Sequence, residues 1–122
     1  MTAMAKPTLY LKHSCPFCLR LRIFLTEAQL ADQVDFIVFE DGDATHQALR
    51  QQMEARGLKP SFPALKTADG EFETGTDDLI ARFTSQHNID TAQLQLLPYY
   101  ESGVFVRMRE LFMENRKLKG EA

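Results

Sequence analysis

The chain has 122 residues, of which 44% are hydrophobic and 25% charged, and its formal net charge is −3. This length predicts one compact domain with its own core, and the two cysteines are too few for a disulfide-rich scaffold or a multi-zinc protein. The negative charge argues against a non-specific nucleic-acid binder, since these are basic. No apolar run approaches the roughly 18 residues of a membrane helix, and residues 1–7 contain no apolar leader. We therefore expect a cytoplasmic protein without nucleic-acid or membrane partners.

The first half of the chain alternates between strand and helix patterns. Short apolar and β-branched runs predict strands, and apolar residues that repeat every three to four positions predict helices. The run VDFIVFE is typical of a parallel strand that is buried on both faces, and Gly57 is expected to end the second helix. The predicted elements are a strand at 8–12, a helix from 16 to about 31, a strand at 34–40 and a helix at 44–56.

The second half begins with a hairpin. Asp69-Gly70 between two short strands is a turn signal, and Thr76 is expected to cap the helix that follows. Pro98 is expected to interrupt the region before the last helix. The predicted elements are strands at 63–67 and 71–73, a helix from 77, an irregular or partly helical stretch at 88–102 and a helix at about 103–118. The order β-α-β-α-β-β-α predicts an α/β fold: a mixed four-stranded sheet with helices on both faces, plus a C-terminal helical extension.

Cys15 and Cys18 stand at the junction between the first strand and the first helix. Pro16 suits the first helical position, which needs no amide hydrogen, so Cys15 is predicted to be the N-cap residue. Backbone amides and the positive end of the helix dipole stabilise a thiolate there. Cys18 lies one turn deeper, within reach of a disulfide. This predicts Cys15 as the nucleophile and Cys18 as the thiol that attacks a mixed disulfide on Cys15. Half of a zinc site and two incidental buried cysteines are the alternatives.

Three further features are open to two interpretations each. Pro63 begins a strand, and a cis bond before it would turn the backbone of Phe62 towards an extended ligand; otherwise it is a loop proline. The amides at Thr76 and Asp77 offer an anion site at a helix N-terminus, or they belong to an ordinary cap. Lys12 either meets a carboxylate or lowers the pKa of the nearby nucleophile, or it is a solvated lysine at the end of a strand.

Three short motifs occur in an order that is known from one group of proteins. They are K-H-S-C-P-F-C at 12–18, S-F-P at 61–63 and T-G-T-D-D at 74–78. Together they resemble the glutaredoxins and the related N-terminal domain of glutathione transferases, both of which have thioredoxin-like folds. The resemblance covers about residues 8–87. The chain departs from the glutaredoxin pattern where Phe17 stands for tyrosine, Ser61 for threonine and Thr74 for the first glycine.

The resemblance implies a glutathione-dependent thiol–disulfide oxidoreductase. In such an enzyme Cys15 attacks a protein disulfide or a glutathionylated protein, and Cys18 or a second glutathione resolves the mixed disulfide. Glutathione is then the co-substrate, and no metal is expected. The residues that the resemblance assigns to glutathione binding are Lys12, Phe17, Phe62, Pro63, Thr76 and Asp77.

Residues 1–90 are predicted to form the glutaredoxin-like domain, and residues 91–122 a helical extension that packs on this domain or forms a dimer contact. The protein is expected to be a monomer or a weak dimer. Two alternative functions use the same residues: a glutathione- or iron–sulfur-binding module, and a glutathione transferase-like protein, each with little redox turnover. For the transferase, the sequence indicates no pocket that would hold an electrophile.

Overall fold

The computed structural model describes residues 6–119, so most of the segment 1–7 and the last three residues of the predicted extension lie outside it. The strands are β1 (Thr8–Lys12), β2 (Asp35–Phe39), β3 (Ala64–Lys66) and β4 (Phe72–Thr74). The helices are α1 (Pro16–Glu27), α2 (Ala44–Ala55), α3 (Thr76–His87), α4 (Leu96–Ser102) and α5 (Val104–Leu118), with short 3₁₀ turns at Ala31–Gln33 and Thr91–Gln93. The predicted β-α-β-α-β-β-α order, followed by helices, is confirmed.

The four strands form one mixed sheet in the order β2-β1-β3-β4. β1 pairs in parallel with β2 and antiparallel with β3, and β3 pairs antiparallel with β4. The turn between β3 and β4 contains Gly70 at φ 90°, a left-handed conformation that glycine adopts without steric cost. The predicted mixed sheet and its hairpin are therefore confirmed.

The prediction that the second strand is buried on both faces is wrong. β2 lies at the edge of the sheet with β1 as its one neighbour, and the side chains of Ile37 and Val38 are 41% and 50% exposed. A short apolar run fits a central strand and an edge strand equally well. Strand order depends on pairing between distant segments, which the local pattern does not contain.

Helices pack on both faces of the sheet. Leu9 and Leu11 of β1 point towards α1 and α3, and they share one buried core with Phe24 of α1. Because side chains alternate along a strand, these two leucines lie on the same face. α2 buries Leu49 and Met53 outside that core, on the opposite face of the sheet. The predicted layers are confirmed.

α1 ends at Glu27, a few residues earlier than predicted. Gln29 has a left-handed backbone with φ 62°, and the amide of Leu30 donates a hydrogen bond to the carbonyl oxygen of Leu25 at 2.8 Å. This closure satisfies the last carbonyl groups of a helix and stops it. Gly57 follows α2 with φ 75°, as the sequence predicts for the end of that helix.

The prediction that Thr76 caps the third helix is wrong by one residue. α3 begins at Thr76, and Gly75 occupies the N-cap position with φ 94°. This left-handed conformation favours glycine, and a Cβ atom there would also lie 3.2 Å from Oδ2 of Asp78 and would displace that side chain slightly. Thr76 itself is buried in the first turn.

The region after α3 is more regular than predicted. Pro98 lies in the first turn of α4, where its missing amide hydrogen is not needed, so it does not interrupt the helix. α4 and α5 both pack against α1, and they bury Tyr100 and Phe105 respectively. Across residues 6–119, no helix has the length and apolar character that crossing a membrane requires.

Candidate functional site

The two cysteines lie where β1 passes into α1. Ser14 turns the chain with a left-handed backbone (φ 64°), and Cys15 then occupies the N-cap position, with Pro16 as the first helical residue. The Sγ atom of Cys15 accepts a hydrogen bond from the backbone amide of Cys18 at 3.4 Å. The Sγ atom of Cys18 accepts one from the amide of Lys12 at 3.3 Å. The predicted N-cap position of Cys15 is therefore confirmed.

The two thiols are free. Their surroundings shift their pKa values in opposite directions. The hydrogen bond that the Cys18 thiol donates to the Cys15 sulfur lowers the pKa of Cys15 to about 7, although burial opposes this shift. Backbone amides of α1 and the charge of Lys12 act in the same direction. The same hydrogen bond and burial raise the pKa of Cys18 far above its ordinary value. Cys15 is 7% exposed and Cys18 2%, so Cys15 is both the more acidic and the more accessible of the two thiols.

A cavity of about 500 Å³ lies beside the cysteines. One side of its lining comes from β1, β2 and α1 and includes Leu11, Val38 and Leu19. The other side comes from α4 and α5 through Tyr100, Val104 and Met108. The parallel register pairs Leu11 with Val38, which places both side chains on the α1 face of the sheet. The cavity is mainly apolar, and the basic residues in its lining are Lys12, His13 and Arg22.

Two predicted glutathione contacts already have partners within the protein. Nζ of Lys12 lies 3.0 Å from Oδ1 of Asp41 in an ion pair, and Lys12 holds the pKa of that carboxyl below its ordinary value. Asp77, which is mostly exposed, lies 2.7 Å from Nη1 of Arg20. A ligand carboxylate at Lys12, or a ligand ammonium at Asp77, must therefore compete with an existing ion pair.

The Phe62-Pro63 peptide bond is cis. The ring of Phe62 packs against the ring of Phe39, with centroids 4.7 Å apart, and against His46 at 5.5 Å. The side chain of Phe62, which is half-buried, therefore packs against β2 and α2. Thr76 is buried at the start of α3.

The structure gathers only some of the predicted site residues around one cavity. Lys12, Cys15 and Cys18 line the cavity described above. The other five predicted residues are not among those that line it: Phe17, Phe62, Pro63, Thr76 and Asp77. The cavity thus adjoins the cysteines on the β2 side of α1, and it was not foreseen from the sequence.

Sequence comparison decides the family of the chain. The family described as glutathione S-transferase, N-terminal domain, matches residues 9–92, which is more than half of the sequence. The chain belongs to the glutathione S-transferase N-terminal domain family. The predicted resemblance is therefore confirmed, and the match ends before α4, so α4 and α5 lie outside the part that defines the family.

Two solved structures to which this transferase-family domain is similar are a glutathione transferase and a homologue of one. Human glutathione S-transferase T1-1 in its apo form has a TM-score of 0.55 and 18% identity, covering 70% of this chain and 34% of that one. A glutathione transferase homologue from Sulfitobacter with bound glutathione has a TM-score of 0.46 and 21% identity, covering 68% and 38%. The chain therefore spans little more than a third of these proteins. The likeness to the human protein shows the thioredoxin-like fold, and no curated protein sequence matches the chain.

The aromatic residues of α5 cover one predicted site residue of this transferase-family domain. The ring of Phe17 makes edge-to-face contacts with the rings of Phe105 and Phe112, with centroids 5.6 and 5.5 Å apart. Such pairs contribute about 0.5–1.5 kcal/mol beyond the burial of their area. The sequence analysis assigned no partner within the domain to Phe105 or Phe112. The signal that was available is their spacing of seven residues, which repeats one helical face.

The sequence analysis did not identify three polar residues of the transferase-family domain, Tyr100, Arg20 and Glu27, whose contacts hold α3 and α4 beside α1. The hydroxyl group of Tyr100 donates a hydrogen bond to the carbonyl oxygen of Pro16 at 2.9 Å. Nε of Arg20 lies 2.6 Å from Oε2 of Glu101, so this one guanidinium holds both α3, through Asp77, and α4. The carboxylate of Glu27 accepts hydrogen bonds from three successive amides at the start of α4. No sequence motif indicates these contacts, because their partners are between 57 and 84 positions apart.

The sequence predicts no metal site. Between Lys6 and Lys119, no group of three or more His, Cys, Asp or Glu side chains is arranged so that it could hold a metal ion. The two cysteines themselves are engaged with each other and with backbone amides.

Proposed function

We propose that this domain is a glutathione-dependent thiol–disulfide oxidoreductase that reduces protein disulfides or glutathionylated proteins. The observation that carries the proposal is the pair of unequal thiols at the start of α1. Cys15 has a pKa of about 7 and opens onto a cavity, while Cys18 is buried and has a raised pKa. Attack on a disulfide requires a thiolate with access to the substrate, and Cys15 meets both conditions.

The reaction proceeds in two exchanges. The Cys15 thiolate attacks the glutathione sulfur of a glutathionylated substrate, the old S–S bond breaks, and the substrate leaves as a thiolate that takes up a proton. A second glutathione thiolate then attacks the glutathione sulfur on Cys15, which releases glutathione disulfide and restores the Cys15 thiolate. Cys18 replaces the second glutathione when it attacks Cys15, and an intramolecular disulfide then forms while glutathione leaves.

The pairing of the thiols explains why Cys18 becomes reactive only after the first exchange. Its pKa is raised chiefly because its proton is shared with the Cys15 thiolate. Once Cys15 is bound in a mixed disulfide, that negative charge is gone and the largest cause of the shift disappears. Cys18 then loses its proton more easily, close to the sulfur that it must attack.

Glutathione would bind along the predicted residues in this proposal. Lys12 receives a ligand carboxylate after releasing Asp41, and Asp77 receives the ammonium of the γ-glutamyl end after releasing Arg20. The backbone of Phe62 beside Pro63 and the amides from Thr76 onward hold the peptide between these ends. Phe17 contributes by fixing the first turn of α1 through its contacts with α5.

The test is the glutathione-coupled reduction of a glutathionylated peptide by the wild type and by two single variants. Cys15→Ser should abolish the activity, because it removes the attacking sulfur. Cys18→Ser should retain much of it, because a second glutathione replaces Cys18 in the second exchange. Equal rates for the wild type and Cys15→Ser, measured with both proteins shown to be folded, would overturn the proposal.

A second candidate function is glutathione transfer to an apolar electrophile, with little redox turnover. The sequence indicated no pocket for such a substrate, but the structure contains the mainly apolar cavity beside Cys15, with α4 and α5 forming one side of it. We propose in this case that residues 91–122 supply the electrophile side of the site to the domain formed by residues 1–90. Conjugation of glutathione to an aryl halide should then be measurable and should fall in Met108→Trp, which fills the cavity. A rate no greater than the uncatalysed reaction would remove this candidate.

A further inference from the structure

One face of α1 borders the cavity from the cysteines to Arg22. Cys15, Leu19 and Arg22 follow each other at steps of four and three residues, so they lie on one side of the helix. All three line the cavity. Each residue of an α-helix rises 1.5 Å, so Arg22 lies about 10 Å along the helix axis from Cys15. The cavity therefore has the Cys15 sulfur at one end and a guanidinium group at the other.

The guanidinium group of Arg22 is placed by an aromatic ring. It lies over the ring of Phe36 in β2, 4.4 Å from the ring centroid, and Phe36 packs against the buried core. Among the ion pairs formed within residues 6–119, none includes Arg22. A guanidinium group that stacks on a ring keeps its N–H donors in its own plane, where they can bind a carboxylate. Arg22 is therefore an oriented cation without an acidic partner in the described part of the chain.

The rest of the lining leaves this cation as the one that an anionic ligand can neutralise. None of the described residues that line the cavity is an acid. At the cysteine end, Lys12 lies 3.0 Å from Asp41, and His13 lies 3.6 Å from Glu40. The lining between the two ends is apolar and includes Leu11, Leu19, Val38 and Met108. A ligand with an apolar body and one carboxylate, about 10 Å from the reacting sulfur, complements this arrangement.

We propose that the cavity receives the peptide half of a glutathionylated protein, and that Arg22 selects peptides with a carboxylate three residues from the glutathionylated cysteine. The inference rests on the proposed function and names the substrate class of the same site. Three residues of extended peptide span about 10 Å, which matches the separation of Cys15 and Arg22. Phe62 and Asp77, which are assigned to glutathione, are not among the residues that line the cavity, so the two halves of the substrate do not compete for it.

The group that Arg22 binds belongs to the half of the substrate that leaves. The Cys15 sulfur forms a bond to the glutathione sulfur, the S–S bond to the peptide breaks, and the peptide departs as a thiolate that takes up a proton from water. The formal net charge of the chain is −3, so long-range electrostatics disfavours an acidic peptide. A preference for such a peptide must therefore come from a local cation.

The experiment compares three glutathionylated peptides that carry glutamate, glutamine or lysine three residues from the cysteine on both sides. The wild type should reduce the glutamate peptide with a kcat/KM a few-fold above that of the glutamine peptide, the gain expected from one exposed ion pair, and should reduce the lysine peptide most slowly. In Arg22→Met the preference for glutamate over glutamine should disappear. Arg22→Lys should keep part of it, because the charge remains but the planar group is lost.

The matched control is Arg50→Met, which removes an exposed arginine of α2 on the opposite face of the sheet and should keep the full preference. Equal rates for the glutamate and glutamine peptides in the wild type, or an unchanged preference in Arg22→Met, would overturn the proposal. Loss of the preference in Arg50→Met as well would assign it to the general charge of the protein and would overturn it too.

A second measurement requires no turnover and so separates this inference from the proposed function. In Cys18→Ser, Cys15 is alkylated by N-bromoacetyl-5-aminopentanoic acid, whose carboxylate is separated from the reacting carbon by a comparable length, and by its neutral amide. The acid should react faster than the amide, and adding Arg22→Met should cancel the difference. If this holds while no peptide is reduced, the carboxylate position at Arg22 stands and the oxidoreductase proposal fails. If peptides are reduced but neither measurement depends on Arg22, the oxidoreductase stands and this inference fails.

Discussion

The hydroxyl group of Tyr100 donates a hydrogen bond to the carbonyl oxygen of Pro16, the residue that follows the reactive Cys15. The contact is buried and joins α4 to the first turn of α1. Burial, together with the negative charge of Cys15, raises the pKa of Tyr100, so the hydroxyl keeps its proton and remains a donor. The start of the helix that activates the thiolate is thus fastened by a residue that lies outside the segment matched to the family.

We expect Tyr100→Phe to destabilise the fold, because it removes a buried hydrogen bond to the carbonyl oxygen of Pro16, which then keeps only its helical amide partner. The loss should be about 0.5–1.5 kcal/mol, the net contribution of one intramolecular hydrogen bond. Urea unfolding followed by circular dichroism gives the measurement. Tyr99→Phe is the matched control, since Tyr99 is 76% exposed and should unfold like the wild type. Indistinguishable midpoints for the two variants would contradict the importance of the bond.

The reactivity of Cys15 should follow its lowered pKa. Below pH 7 the alkylation rate should fall about tenfold per pH unit as the thiolate is protonated, and well above pH 7 it should level off. Because the thiol of Cys18 is the largest cause of the shift, Cys18→Ala should move the midpoint to higher pH. Cys18→Ser keeps a hydroxyl donor and should move it less. A wild-type midpoint near the free-thiol value of about 8.5 would contradict the arrangement of the pair.

We expect the carboxylate of Glu27 to stabilise the first turn of α4. This stabilisation should weaken at low pH, as the carboxylate is protonated. Its carboxylate accepts the amides of Gln95, Leu96 and Leu97, and these bonds lower the pKa of Glu27. A group whose pKa is depressed by folding contributes fully above its ordinary pKa, and its contribution is lost as the pH falls through the folded value. We expect Glu27→Ala to remove protection of these three amides from hydrogen exchange at neutral pH, while wild-type protection falls only below about pH 4.

The matched control for this exchange experiment is Glu54→Ala. Glu54 is an exposed glutamate of α2, away from α4 in the sequence, so its removal should leave the exchange of all three amides as it is in the wild type. Retained protection in Glu27→Ala would show that α4 is held without the carboxylate.

If the proposed function holds, substitutions of Lys12 and of Asp41 should change the apparent KM for glutathione in opposite directions. Asp41→Asn removes the charge that occupies Lys12, so the apparent KM for glutathione should fall. Lys12→Met removes the charge that would bind the ligand carboxylate, and KM should rise. Exposed ion pairs are weak, so each change should be a few-fold. If KM changed in the same direction in both variants, or in neither, the Lys12 ammonium group would not bind glutathione.

The cysteine pair shows what a local pattern can predict. The N-cap position of Cys15, Pro16 as the first helical residue and the deeper position of Cys18 all depend on residues within one turn of each other. Short-range steric and hydrogen-bonding preferences decide such features. The same local reasoning misplaced the start of α3, because it favoured a threonine cap over Gly75, which has a φ of 94°.

The edge position of β2 and the packing of α5 on Phe17 are features that local sequence patterns cannot predict. Nothing in VDFIVFE distinguishes an edge strand from a central one, and nothing in the last helix names Phe17 as the partner of Phe105. Both depend on which distant segments come together, and that choice reflects the total burial that the whole chain achieves.

The sequence alone thus determined the order of the elements, the mixed sheet with its hairpin and the unequal roles expected of two cysteines, because each rests on periodicity or on neighbours within a few residues. Only the tertiary structure decided that α4 and α5 fold back on α1, that Tyr100 fastens Pro16 and that a cavity lies beside Cys15. Those features join distant residues, Tyr100 with Pro16 across 84 positions and Phe112 with Phe17 across 95. They exist only because burying the apolar faces of both ends of the chain together outweighs the entropy lost in bringing them into contact.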